Sequence, residues 1–188
     1  MAGTIQALEI TSEFRDPYTS GHERRVARLA CVIAKKMDFS DFQVEGIRVA
    51  GILHDIGKIS VPVEILSRPG KISEPEFNII KLHPQVGYEI LKSVDFSWPI
   101  PEIILQHHER MNGSGYPLGL SKDKIRLEAK ILGVADVVEA MASHRPYRPA
   151  LGIDRALVEI SEYKGILYDE QVVDTCVRLF ENKEFSFE

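Results

Sequence analysis

Cysteine is scarce in this chain of 188 residues: Cys31 and Cys176 are the two copies, and both fall within helical patterns. A disulfide-built secreted scaffold is thereby excluded, and the pair read as small core residues in a reducing compartment. No apolar run approaches the ~20 residues that cross a bilayer. The opening MAGTIQALEITSEFRD has no basic region ahead of an apolar stretch, so no signal peptide is predicted and the cytoplasm is expected. Positive charge is in deficit as well. A net charge of −5 lacks the basic face that a binder of polymeric DNA or RNA carries. Strand-like alternation, internal repeats and charge blocks are all missing, and neither Ser nor Cys sits in a nucleophile-elbow or papain-like context. Covalent hydrolase mechanisms are therefore set aside.

What is abundant is helical periodicity, and the length suits one domain with one compact core, residues 1–188 with the core at about 12–181. The spacing predicts a short amphipathic helix over about 3–14 with Ile5 and Leu8, broken by Asp16-Pro17-Tyr18-Thr19. Val26, Leu29, Ile33 and Met37 mark a second helix, and His22 extends their inward stripe by one turn. Ser40 and Gln43 form a capping box opening a third, whose buried face is Val44, Ile47, Gly51 and His54; Gly57 is expected to stop it. A second box at Ser73 and Glu76 opens a helix with Phe77 and Ile80 that must end near His83, because Pro84 disfavours the α conformation in its predecessor. Pro99 or Pro101 opens a helix in which Ile103–His107 and Ile104–His108 are i, i+4 pairs. Residues 111–117 are a loop, Leu127 to Ala142 is a central helix apolar nearly all round, and helices at about 154–164 and 169–181 finish an all-α bundle.

Five of the six histidines fall where a helical bundle could gather them round one metal cluster: His22, His54, His83, His107 and His108. Together with Asp55 and Asp136 they recur at close to one per helix, as in bundles that build a metal site in their core. A lone histidine in such surroundings is usually a satisfied core residue. Five of them, with two aspartates, make the ligand set of a hydrolytic transition-metal centre. Two divalent ions ~3.5–4 Å apart activate water and clamp an in-line displacement at phosphorus. Lys58, Arg145 and Arg148 each have an ordinary solvated-surface reading, and Tyr116 one as a cap on the core. Beside a metal cluster they suggest a phosphorylated, aromatic substrate.

Read together, DPYTSGHERRVARLA (16–30), GILHDIGKISVP (51–62), LHPQVGYEIL (82–91), QHHERMNGSGYP (106–117), ADVVEAMASHRPYR (135–148) and YKGILYDEQVVDTCVRLF (163–180) resemble the HD-GYP family of metal-dependent phosphohydrolases. The resemblance covers about residues 12–181. It implies an all-α fold and hydrolysis of cyclic di-GMP to linear pGpG, often on to GMP. By residue match, His22, His54, Asp55 and Asp136 would hold one metal, and Asp55 would bridge to a second held by His83, His107 and His108. Iron and manganese are the metals it implies. Lys58, Tyr116, Arg145 and Arg148 match positions contacting phosphates and bases, with Lys58 also a candidate proton donor. A sensor or receiver domain, or a diguanylate cyclase, is the regulatory partner implied.

Two departures stand out. Members with a third metal use a Glu four residues before the first ligand histidine; here that place is Tyr18, so a two-metal site and pGpG as main product are expected. Glu139 replaces an aspartate and reaches one methylene further. The rival readings are a phosphohydrolase with another nucleotide substrate and a catalytically silent dinucleotide receptor.

Overall fold

The computed structural model describes residues 2–15, 21–68, 70–143 and 150–187. Among them lie ten helices: α1 (Ala2–Arg15), α2 (His22–Lys36), α3 (Asp41–Leu53), α4 (Val63–Leu66), α5 (Glu74–Ile80), α6 (His83–Leu91), α7 (Ile100–Gln106), α8 (Leu127–Ala142), α9 (Ile153–Glu162) and α10 (Glu170–Glu181). No strand forms among the described residues; two isolated bridges pair Asn112 with Ser121 and Lys164 with Tyr168. The all-α expectation holds. Tyr18, Arg145 and Arg148, with the helix breaks assigned around them, lie outside the described residues.

Packing rather than capping holds α2. Gly21 caps it without a side-chain hydrogen bond, which costs only a few tenths of a kcal/mol relative to a Ser or Asp cap. Val26, Leu29 and Ile33 are fully buried, and each such side chain is worth ~1.5–3 kcal/mol. α2 lies against α3 and α8, α6 against α7, and α10 closes the bundle against α2, α8 and α9. At α3 the expected capping box forms, with Gln43 N–H donating to Ser40 Oγ at 3.3 Å and Ser40 N–H to Gln43 Oε1 at 3.1 Å.

One expectation needs correction. Gly57 does not stop α3, which ends at Leu53; it lies inside a 3-10 turn, Ile56–Ser60. A Cβ there would fall 1.9 Å from the His83 carbonyl oxygen and 2.7 Å from the Gly87 nitrogen. Glycine is required because this turn presses directly on α6, which draws Asp55 and Lys58 to His83. The short α4 and the 3-10 turns were not foreseen, since four or five residues carry no readable period.

The five predicted histidines all stand at helix termini. His22 and His83 are the first residues of α2 and α6, His54 and His107 directly follow α3 and α7, and His108 comes next. Asp136 projects from the middle of α8.

Candidate metal centre

Four of the five histidines are oriented by what the other ring nitrogen does. The Nδ1–H of His54 donates to the Gly51 carbonyl at 2.7 Å, that of His83 to Ile80 at 2.7 Å, and that of His107 to Ile104 at 2.6 Å. A carbonyl only accepts, so Nδ1 carries the proton and Nε2 presents a lone pair to the interior. The i−3 carbonyl is one left over where a helix ends, so each helix terminus supplies its own brace. His22 is braced differently. Its Nδ1 bonds the Glu139 carboxylate, which also accepts from Arg25 Nε and Ser143 Oγ, each at 2.6 Å.

The inward atoms then meet. His22 Nε2 lies 3.2 Å from Asp136 Oδ1, and His54 Nε2 lies 3.9 Å from the same oxygen. Asp55 faces both ways: Oδ1 is 3.4 Å from His83 Nε2, while Oδ2 is 3.5 Å from His54 Nε2 and 3.9 Å from His22 Nε2. Two trios, His22–His54–Asp136 and His83–His107–His108, each bring one ligand atom per residue within 4.8 Å of one another; so does His54–Asp55–His107, which joins them. Only His108 turns Nδ1 towards Asp136, at 4.0 Å.

Charge and burial favour a cation here. Burial pushes His83 down to about 4 and His107 down to about 3, so both rings are neutral near pH 7. Their Nε2 atoms nevertheless stand 3.4 Å apart with no proton to share. His54 Nε2 is buried without a hydrogen-bond partner. Buried acceptors left facing one another cost free energy. Ligands ~2.1 Å from one ion stand at such separations, so the donor set fits a metal. Burial alone would raise the Asp55 and Asp136 carboxyls, but surrounding groups, Lys58 at Asp55 and the His22 hydrogen bond at Asp136 foremost, hold both well below the usual carboxylate range.

Lys58 Nζ donates to Asp55 Oδ2 at 2.6 Å at the edge of the cluster. The Tyr116 ring lies against His108, centroids 4.7 Å apart and tilted 32°. Its loop is folded tightly back: a Cβ on Gly115 would meet His108 O, Glu109 Cα and Arg110 N, all at 2.5 Å. All seven predicted ligands, Lys58 and Tyr116 are thus brought together; Arg145 and Arg148 are outside the described residues.

Sequence reasoning missed three residues, Arg25, Glu109 and Glu23, and the bracing role of Glu139. Arg25 and the bracing role of Glu139 had a faint signal, since Arg25 is three residues after His22 and Glu139 three after Asp136, each on its ligand's helical face. Glu109, in the HHE run, is buried and accepts from Leu118 N–H at 2.7 Å and Leu120 N–H at 2.8 Å, pinning the loop that carries Tyr116. The third is Glu23. It is buried next to His22, its Oε2 has no hydrogen-bond partner, and burial and the Asp55 charge raise its carboxyl. A cavity of about 690 Å³ between α1, α2 and α3 is lined by none of the predicted ligands.

Residues 8–172 match the family model described as HD domain. The chain is 41% identical over 177 residues to the cyclic di-GMP phosphodiesterase response regulator RpfG of Xanthomonas campestris, covering 93% of this chain and 47% of that one. It is 38% identical over 148 residues to 3'3'-cGAMP-specific phosphodiesterase 3 of Vibrio cholerae, covering 79% of this chain and 32% of that one. The chain therefore spans half or less of the length of these relatives. Among solved structures, an HDG"Y"P protein of Bdellovibrio bacteriovorus superposes with a TM-score of 0.71 at 20% identity, covering 85% of this chain and 51% of that one; this likeness concerns the fold. No helix among the described residues is long and apolar enough to cross a membrane. The family match over most of the chain, the helical bundle and the HD, HHE and GYP segments agree: the chain belongs to the HD-domain family, on its HD-GYP branch.

Proposed function

We propose that this chain is a metal-dependent phosphodiesterase that opens a cyclic dinucleotide, cyclic di-GMP in the first instance, to the linear product pGpG. The observation that carries this reading is the meeting of His83 and His107 Nε2 at 3.4 Å with Asp55 beside them. That arrangement has no purpose in a merely structural core. His22, His54, Asp55 and Asp136 would hold one divalent transition metal, iron or manganese, and Asp55, His83, His107 and His108 a second. When bound, such a pair supplies a nucleophile at neutral pH and offsets charge developing on phosphoryl oxygens.

The chain's own residues do the rest. The Nδ1 braces keep the imidazoles of His22, His54, His83 and His107 aimed, so little reorganises during reaction. Lys58 adds positive charge beside Asp55 and is the nearest ammonium to the cluster; we assign it the proton that the departing 3′ oxygen needs. Tyr116 walls the side next to His108 and contacts the sugar or base. Arg145 and Arg148 are assigned to phosphate oxygens on the sequence match. Tyr18, in place of a third-metal Glu, favours pGpG over GMP as main product. The catalytic unit is the single domain, its core over about residues 12–181 on the sequence resemblance, working in the cytoplasm, where the unpaired Cys31 and Cys176 persist. A sensor or receiver domain, or a diguanylate cyclase, is its regulatory input.

The relative named for 3'3'-cGAMP makes a second substrate worth separating. Anaerobic protein loaded with Fe²⁺ or Mn²⁺ is offered cyclic di-GMP, 3'3'-cGAMP and cyclic di-AMP, and products are resolved by chromatography. Metal-dependent release of pGpG, fastest of the three, supports the proposal. Preference for 3'3'-cGAMP would reassign the substrate. Binding without product under every metal would make the chain a receptor.

A further inference from the structure

The cluster accounts for a reacting phosphate but leaves α5 unexplained. None of its seven residues is buried, and Phe77 stands 42% exposed. Yet this helix faces the site. The Phe77 ring meets Tyr116 edge to face, centroids 6.3 Å apart at 83°, and Tyr116 in turn lies on His108. Lys81, directly after α5, holds its ammonium 4.8 Å from the Phe77 centroid and 5.9 Å from that of Tyr116. No carboxylate among the described residues pairs with it. An aromatic row thus leads outward from a predicted ligand and ends in a corner of two perpendicular rings and one cation.

That corner has a definite ligand chemistry. An exposed aromatic face stacks a nucleobase, worth about 1–3 kcal/mol. An ammonium only donates, so it selects an edge made of acceptors. Guanine offers O6 and N7 side by side, whereas adenine sets an N6 donor next to N7. We propose that Phe77 stacks one purine of the bound dinucleotide and that Lys81 favours guanine over adenine at that position. This rests on the cyclic dinucleotide reading, in that the phosphate must lie at the His/Asp cluster for a base to reach α5.

The test compares wild type, Phe77→Ala, Phe77→Trp, Lys81→Met and Lys81→Arg in the Mn²⁺-loaded protein. Steady-state kinetics are measured with cyclic di-GMP and cyclic di-AMP. Calorimetric binding of a phosphorothioate analogue of cyclic di-GMP gives a readout free of turnover. The residues are exposed or half-buried, so circular dichroism should show intact folds. Phe77→Ala should raise KM for both substrates, and Kd for the analogue, about tenfold, and Phe77→Trp should restore them. Lys81→Met should raise KM for cyclic di-GMP about tenfold and for cyclic di-AMP by less than about twofold, and Lys81→Arg should keep the preference. Equal losses on both substrates in Lys81→Met would overturn the guanine assignment, and kinetics like wild type in Phe77→Ala would overturn the stacking. If wild type neither binds nor cleaves any cyclic dinucleotide, the functional reading fails first and this inference with it.

Discussion

His54, His83 and His107 are held by carbonyls three residues back in their own chain, at 2.7, 2.7 and 2.6 Å, whereas His22 is held by Glu139, 117 residues away on α8. The first arrangement forms wherever those helices end. The second exists only once α2 and α8 have packed together. The side with His83 and His107 is therefore set by local backbone, whereas the side with His22 and His54 depends in addition on tertiary structure, through a single carboxylate shared by His22, Arg25 and Ser143. The two sides should fail in different ways.

The largest effect should come from the residue that belongs to both. Asp55→Ala removes the oxygens facing His83 on one side and His54 and His22 on the other. Turnover should fall below detection, and metal analysis should show both ions lost. Near-normal rates in metal-replete Asp55→Ala would break the scheme. Glu139→Ala should damage the distant-braced side alone. Its metal affinity should drop about 10–100-fold, read as a rise in the Mn²⁺ concentration needed for half-maximal activity, with one tightly held ion retained. Loss of both ions would show that the sides are not separable.

Acid should act on the locally braced side. Unfolded imidazole takes a proton near 6.5, but in the folded state burial delays this to about 4 for His83 and about 3 for His107. Between those values the unfolded chain binds more protons, so the metal-free protein loses stability as pH falls from about 6.5 towards 4 and is insensitive to these groups above about 7. For His83 alone the loss is on the order of 3 kcal/mol at its completion, at ~1.4 kcal/mol per pH unit. Thermal melts of metal-free protein from pH 7.5 to 5 test this, and a flat Tm would contradict it. The smallest effect concerns Glu23, whose raised carboxyl makes it a cost to folding at neutral pH, because burial opposes its ionised form. Glu23→Gln should raise the Tm of metal-free protein by a few degrees, about 2–4 °C per kcal/mol at this chain length. A lower Tm would show that the ionised carboxylate is being used.

How much of this was legible in the sequence follows the same division. His54 could be placed because it continues the Val44–Ile47–Gly51 row, and His107 and His108 because each follows an isoleucine by four residues. Periodic patterns report which face a side chain takes. They do not report which carbonyl or carboxylate will meet it across the bundle. Thus Glu139 was seen as a departure and not as the partner of His22, Arg25 went unnoticed, and Glu109 was one letter of a motif until its two N–H donors were in view. Gly57 was misread for a related reason. Glycine after a helix signals a stop equally well as a close approach, and only the His83 carbonyl beside it decides.

Anomalous diffraction from Mn²⁺-soaked crystals tests the central claim most directly. Two peaks about 3.5–4 Å apart are expected, one among His22, His54 and Asp136, the other among His83, His107 and His108, with Asp55 between them. A single peak, or peaks away from these side chains, would contradict the account.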